Sequence, residues 1–149
     1  MIRDPANLYR MRKQLLFVAV AMLLALAGCK SAGSPTATFK TFFDAQKKRD
    51  IPGMKQLLSK TSLAMMEASA KEQGKTLDAL IQEQLDHPAS KTDKMPETRN
   101  EKINGDQGTL ELHNEDVQRW DTMYFVKEDG AWKIALDRTV EEMLRKSGN

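Results

Sequence analysis

The sequence predicts an α+β domain in which helices precede a meander of antiparallel strands. Apolar residues recur every three or four positions between residues 36 and 88, and they alternate with polar residues between residues 98 and 137. Helical segments followed by strands and tight turns are typical of this fold class rather than of a parallel sheet. We therefore expect N-terminal helices packed on a curved antiparallel sheet of about four strands.

Four helices are predicted in the first half of this region. Thr36 or Thr38 is the expected cap of the first helix, Asp50 and Pro52 restart the chain as the second, and Gly74 ends the third. The first helix is expected to end near residue 49, and the second is expected to begin at residue 50. The third is expected to run from residue 62 to about 73, and the fourth from 76 to 87. The apolar stripes that we interpret as core are Phe39, Phe42, Phe43, Met54, Leu57, Leu58, Leu63, Met65, Met66, Leu77, Leu80, Ile81 and Leu85.

Strands are predicted where alternating segments are separated by residues that favour turns. Asn104-Gly105-Asp106, Asn114-Glu115-Asp116 and Glu128-Asp129-Gly130 are such segments. The expected strands cover residues 98–103, 109–113, 117–127 and 131–137. A short amphipathic helix over residues 139–146 follows them, and it docks either on the sheet or on a partner.

The register of the last hairpin decides which side chains face the core. A three-residue loop at Glu128-Asp129-Gly130 pairs Val126 with Trp132 and Tyr124 with Ile134. A two-residue Asp-Gly turn shifts the pairing by one residue. We adopt the three-residue loop because it gathers both tryptophans and the tyrosine on one face.

This register defines a candidate pocket and a candidate interface. The pocket comprises Trp120, Tyr124 and Trp132 on the inner face of the sheet. The second face then carries Met123, Phe125 and Ala135. A strand that is apolar on both faces is usually covered on both. The second face is therefore either packed under the protein's own helices or used as a surface for a homodimer or an envelope protein.

The N-terminal 29 residues carry the strongest motif. A short apolar run beginning at Leu15 follows Arg12 and Lys13 and ends in small residues, as in a secretory leader. The run is shorter than the ~20 apolar residues of a membrane span. The closing segment Leu26-Ala27-Gly28-Cys29 resembles the lipobox of bacterial lipoproteins. That resemblance implies cleavage between Gly28 and Cys29 and acylation of Cys29, for example with palmitate.

This motif divides the chain into three parts. Residues 1–28 are the expected leader, of which residues 1–10 are a possible start-site artefact because Met11 begins a leader more typically than Met1 does. Residues 29–35 have the composition of a tether, and residues 36–149 form a single domain. Lys30 stands where an enterobacterial inner-membrane protein carries aspartate. The resemblance therefore implies anchoring to the outer membrane, facing the periplasm.

Charge and cysteine content restrict the functions of the remaining chain. The formal net charge is +2, but the leader carries four basic residues against Asp4, so the rest of the chain is near −1. A basic surface for nucleic acid is therefore not expected. Cys29 is the sole cysteine, and His87 and His113 lie in unrelated segments, so we expect no disulfide, metal or cofactor.

The domain itself resembles the nuclear transport factor 2-like superfamily over about residues 36–140. The resemblance rests on the helix from Phe39 to Arg49 followed by Asp50, on the segment 105–112, and on Glu128-Asp129-Gly130 followed by Trp132-Lys133-Ile134. Small lipoprotein families of unassigned function carry such a domain after a lipobox. The resemblance implies a cone-like curved sheet whose mouth holds a ligand in some relatives and whose sheet often dimerises.

Relatives of the ketosteroid isomerase kind place a tyrosine and carboxylic acids inside the cone. The nearest equivalents are Tyr124 with Asp121, Glu111 and His113, but residue alternation in the adopted register turns these three away from Tyr124. We therefore expect a membrane-anchored envelope lipoprotein with a non-catalytic domain that binds an envelope protein or a small apolar ligand. The alternative is a small isomerase-like or dehydratase-like enzyme that uses Tyr124 with a nearby carboxylate.

Overall fold

Four N-terminal helices each begin at a side chain that accepts a hydrogen bond from the first helical turn. The computed structural model describes residues 33–88 and 93–147, which belong to a unit formed by Gly33–Asn149. The leader and the lipobox lie outside the described residues. The four helices are α1 (Pro35–Lys48), α2 (Ile51–Leu57), α3 (Lys60–Glu72) and α4 (Leu77–Asp86).

The caps explain where these helices start. Ser34 caps α1 by accepting from the Ala37 amide, so the helix begins at Pro35, and the prediction of a Thr36 or Thr38 cap was wrong. Proline favours the first helical position because its fixed φ suits the helix and its missing N–H is not needed there. The corresponding caps of α2, α3 and α4 are Asp50, Ser59 and Thr76.

The second half of the described chain is a four-stranded antiparallel sheet in the order β1-β2-β3-β4, so the α+β prediction is confirmed. A fifth helix follows the last strand. These elements are β1 (Thr98–Asn104), β2 (Gln107–Asn114), β3 (Arg119–Glu128), β4 (Ala131–Ile134) and α5 (Leu136–Ser147).

The last hairpin has a two-residue turn, so the adopted three-residue loop was wrong. Glu128 pairs with Ala131, and Phe125 pairs with Ile134. Asp129 and Gly130 both have positive φ, at 50° and 78°. Two positive-φ residues make the tight turn that suits the twist of a hairpin, and aspartate tolerates this conformation better than most residues. Every side chain of β4 therefore pairs one position away from the expected register.

The principal core lies between the sheet and the helices. Phe125 and Ile134 are 0% exposed, and they form one cluster with four other buried residues: Phe39, Leu58, Leu110 and Trp132. A second cluster joins the helices to one another through Ala45, Met54, Ile81 and Leu85. Both clusters belong to the unit Gly33–Asn149, so this unit has a hydrophobic core of its own.

A buried polar junction fixes the end of β4. The Ser62 hydroxyl, which is fully buried, accepts a hydrogen bond from the Leu136 amide at 2.8 Å and donates to the Asp137 carboxylate at 2.8 Å. It also lies 2.7 Å from the Ser59 hydroxyl, while the Ser59 amide donates to the Ile134 carbonyl. Ser62 thus caps α5 from another helix. The strand consequently ends at residue 134 instead of continuing to 137 as predicted.

Replacing Ser62 with alanine is expected to destabilise the domain by about 1–3 kcal/mol, because the partly buried Leu136 amide loses its acceptor. Equilibrium urea denaturation measures this change as a lower midpoint. The matched control is Thr61→Ala, since Thr61 is the exposed neighbour on the same helix. Equal midpoints for the two variants would contradict the role of the junction.

Gly108 in β2 allows α1 to approach the sheet. A Cβ atom at this position would lie 2.7 Å from the Pro35 ring and 3.1 Å from the Trp132 ring. Both neighbours are buried, so neither ring moves aside without disturbing the core.

Gly108→Ala is therefore expected to lower the free energy of unfolding by about 1–3 kcal/mol, which is the usual cost of overpacking. Gly33→Ala is the matched control, because its added Cβ would meet only the Ala37 side chain at 3.7 Å, an ordinary contact. Thermal unfolding followed by circular dichroism compares the two. A melting temperature for Gly108→Ala equal to that of Gly33→Ala would argue against the close approach.

Candidate functional site

An apolar pocket of about 200 Å³ lies between the helices. Seven of its lining side chains are apolar, and two glutamines, Gln46 and Gln84, are the only polar ones. The apolar residues are Phe42, Met54, Leu58, Met66, Ile81, Leu85 and Leu136.

The pocket forms where the two hydrophobic clusters meet. Phe42 and Met66 pack against both clusters, and each is only partly buried. Phe42 comes from the apolar face of α1, and Met66 comes from α3. Methionine side chains adapt to different shapes because they are unbranched and polarisable. An engineered apolar cavity of about 150 Å³ holds benzene, so a pocket of this size and polarity suits one ring or a short hydrocarbon chain.

Six of the seven apolar lining residues are predicted from the sequence only as core stripes of the helices, and Leu136 is predicted as part of the last strand. A residue that lines an interhelical pocket and a residue that fills a core have the same apolar character and the same helical spacing. The two glutamines are the one sequence feature that differs, and glutamine on a helix is too common to indicate a pocket.

The structure does not bring the predicted pocket residues Trp120, Tyr124 and Trp132 together. Trp132 pairs across the sheet with Lys127 and is buried in the principal core. Tyr124 pairs with Thr109, and Trp120 pairs with His113, on the opposite face. The two-residue turn is the physical reason, because a shift of one residue turns a side chain to the other side of the sheet.

The predicted interface of Met123, Phe125 and Ala135 is also wrong. Phe125 and Ala135 are buried, and Met123 packs against the principal core. The protein's own helices cover these side chains, which is the first of the two possibilities that the sequence left open. No surface for a homodimer or an envelope protein remains at Phe125.

The outer face of the sheet, opposite the core, carries a polar and aromatic cluster. The Arg99 guanidinium lies 3.8 Å from the centre of the Trp120 ring, and the His113 ring lies 4.8 Å from Trp120, centre to centre. Arg99 also donates to Glu111 at 2.7 Å, and Asn100 donates to the same oxygen. Hydrogen bonds from Arg99 and Asn100 hold the pKa of the Glu111 carboxyl below its usual range. Glu111 is therefore an ion-pair partner rather than a proton donor.

Tyr124 lies on this outer face together with Glu111 and His113, so the alternation argument that separated them was wrong. Its side chain lines a groove of about 380 Å³ with four charged residues of α5, namely Arg138, Glu141, Glu142 and Arg145. Glu142 accepts two hydrogen bonds from Arg145, at 2.6 and 2.9 Å.

The described part of the chain shows neither a metal site nor a helix that could cross a membrane. Residues 33–88 and 93–147 contain no cluster of three or more histidine, cysteine, aspartate or glutamate side chains that would hold a metal ion. Every helix in those ranges is too short or too polar to cross a bilayer. The predicted lipidation residues, Gly28 and Cys29, lie outside them.

Comparison with known proteins adds no assignment. No family model matches this sequence, and no curated protein or solved structure matches it.

Proposed function

We propose that this chain is a lipid-anchored envelope lipoprotein whose domain binds a small apolar molecule between its helices. The anchor is argued from Leu26-Ala27-Gly28-Cys29, which resembles a lipobox behind a secretory leader. The same resemblance favours the outer membrane, facing the periplasm, because Lys30 follows the cysteine.

The apolar pocket carries the proposal of binding. It is lined by seven apolar side chains, of which four are buried, so a hydrocarbon group entering it would lose its contact with water on most sides. Removal of apolar surface from water supplies the affinity, at ~25 cal/mol per Å² before the cost of immobilisation. Concave apolar sites with a few polar groups are typical of small-molecule binding.

The alternative enzyme has one observation in its favour, since Glu141 and Glu142 line the same groove as Tyr124. Acid–base catalysis requires groups within hydrogen-bond reach of the atom that exchanges a proton. Both carboxylate oxygens of Glu142 accept hydrogen bonds from Arg145, so this carboxylate is held in an ion pair. Binding is therefore the better supported function.

The anchor is tested by expressing Cys29→Ser in a Gram-negative host fed with an alkyne analogue of palmitate. The wild-type protein is expected to take up the label and to sediment with membranes, whereas Cys29→Ser takes up none and keeps its leader. Ser31→Ala, two residues away, is the control and should be labelled. Equal labelling of Cys29→Ser and wild type, or an unlabelled wild type, would overturn the proposed anchor.

The pocket is tested with benzene and n-heptane as probes. Both probes are expected to shift the methyl NMR resonances of Leu58, Ile81 and Leu85 in the wild-type domain. Met66→Trp should fill the pocket and weaken the apparent affinity at least tenfold while the domain stays folded.

The matched control for this experiment is Met65→Trp, because Met65 is the exposed neighbour of Met66 and does not line the pocket. Its probe-induced shifts should equal those of the wild type. Thermal unfolding is used to check that both variants are folded. Unchanged affinity in a folded Met66→Trp, or no shifts in the wild type, would contradict binding in this pocket.

A further inference from the structure

The last helix, α5, carries an exposed apolar stripe formed by Val140, Met143 and Leu144. Their side chains are 42%, 47% and 67% exposed, respectively. The spacing of three and four residues places the three side chains on one side of the helix. Three of the six large apolar residues that are exposed in the described part of the chain therefore lie on two turns of one helix.

The stripe begins in the core and becomes more exposed along the helix. Leu136, one turn before Val140, packs against the principal core, and Leu144 lies one turn beyond Val140. The start of α5 is held at Ser62, whose hydroxyl accepts a hydrogen bond from the Leu136 amide and donates one to the Asp137 carboxylate. The stripe is thus presented by a helix whose orientation is fixed by buried contacts.

The charges of α5 do not select a charged partner. Its sequence contains three acidic residues (Asp137, Glu141 and Glu142) and three basic residues (Arg138, Arg145 and Lys146), so its net charge is zero. Glu142 and Arg145 also pair with each other. Association through this helix therefore depends on apolar contact, and we expect little dependence on salt.

The length of chain before α1 favours a bilayer as the occupant. Cys29 lies six residues before Pro35, and six residues span at most ~21 Å. An acylated Cys29 keeps Pro35, the first residue of α1, within that distance of the lipid surface. A short tether converts weak contact into an intramolecular event with an effective concentration in the millimolar range. This step rests on the proposed lipid anchor.

We infer that α5 docks on the lipid bilayer through Val140, Met143 and Leu144. Amphipathic helices of this kind lie in the plane of the interface with their apolar face among the acyl chains. The interaction is apolar and is maintained by the tether. It therefore occurs on phosphatidylcholine as well as on anionic lipid.

The chain from Cys29 to Asn149 tests this inference because its sole cysteine can be coupled to a maleimide lipid. Leu144→Trp is placed in this chain, which is coupled to phosphatidylcholine vesicles with or without brominated acyl chains. Bromine is expected to quench the fluorescence of the introduced tryptophan at least twofold, after the signal from Trp120 and Trp132 has been subtracted. Raising sodium chloride from 0.1 to 0.5 M should leave the quenching unchanged.

Second substitutions in the Leu144→Trp background separate docking from mere proximity. Val140→Asp should abolish the quenching, whereas Glu141→Ala, which changes an exposed residue beside the stripe, should preserve it. Circular dichroism shows that both variants are folded. Absence of quenching in Leu144→Trp overturns the inference, as does quenching that survives Val140→Asp in the folded protein.

Sedimentation of the uncoupled chain tests the alternative that the stripe binds a second copy of this chain and not the bilayer. A dimer that Val140→Asp dissociates, together with no bromine quenching, would assign the stripe to self-association and overturn docking on lipid. Because the coupling is chemical, the result does not depend on lipidation in cells. Failure of Cys29 labelling in cells therefore contradicts the proposed anchor alone, while failure of quenching contradicts docking alone.

Discussion

The contacts around Ser62 determine how the helical half of the domain meets the sheet. Ser62 accepts from the first amide of α5 and donates to Asp137, while Ser59 donates its amide to the Ile134 carbonyl. Ile134 is at the centre of the principal core. A buried amide without an acceptor is costly, so β4 ends and α5 begins at this point and not one turn later. The residues that close the core therefore also set the length of the last strand.

The short β4 has a consequence for the neighbouring strand. β3 extends to Arg119, but β4 pairs with it only from Phe125 onward. The Tyr124 amide instead donates to the Thr139 hydroxyl, and the Tyr124 carbonyl accepts from the Ala135 amide. Residues at the start of α5 thus take the hydrogen bonds of Tyr124 that a longer β4 would have made. Less of the β3 edge is then available for unwanted strand pairing.

The helices were predictable from sequence because each signal is local. Asp50 and Thr76 stand next to apolar stripes with helical spacing, and capping needs no knowledge of the rest of the fold. The other two caps, Ser34 and Ser59, lie two or three residues before the predicted starts. The hairpin register was not predictable in this way. Both turn lengths satisfy the Glu-Asp-Gly segment, and the choice depends on whether Asp129 adopts positive φ. That single dihedral places Met123 and Phe125 in the core and Trp120 and Tyr124 on the outer face, the reverse of the prediction for β3.

The role of Ser62 could not be read from the sequence either, because its partners lie 74 and 75 residues away. A serine in the first turn of an amphipathic helix has no local feature that indicates a hydrogen bond to another helix. The interhelical pocket escaped for a related reason. Its lining combines residues from four helices and from Leu136, and only their packing reveals that the space between them is incompletely filled.

The pocket and the exposed stripe both include or adjoin residues of α5, but different side chains form them. Leu136 lines the pocket, whereas Val140 and Leu144 lie one and two turns farther along the same helix and do not. Met66 lines the pocket from α3 and is not part of the stripe. Substitutions at Met66 and at Val140 therefore act on different surfaces. Because Ser62 holds the start of α5, a variant that loosens this junction would disturb both surfaces at once, and independent losses require changes that leave it intact.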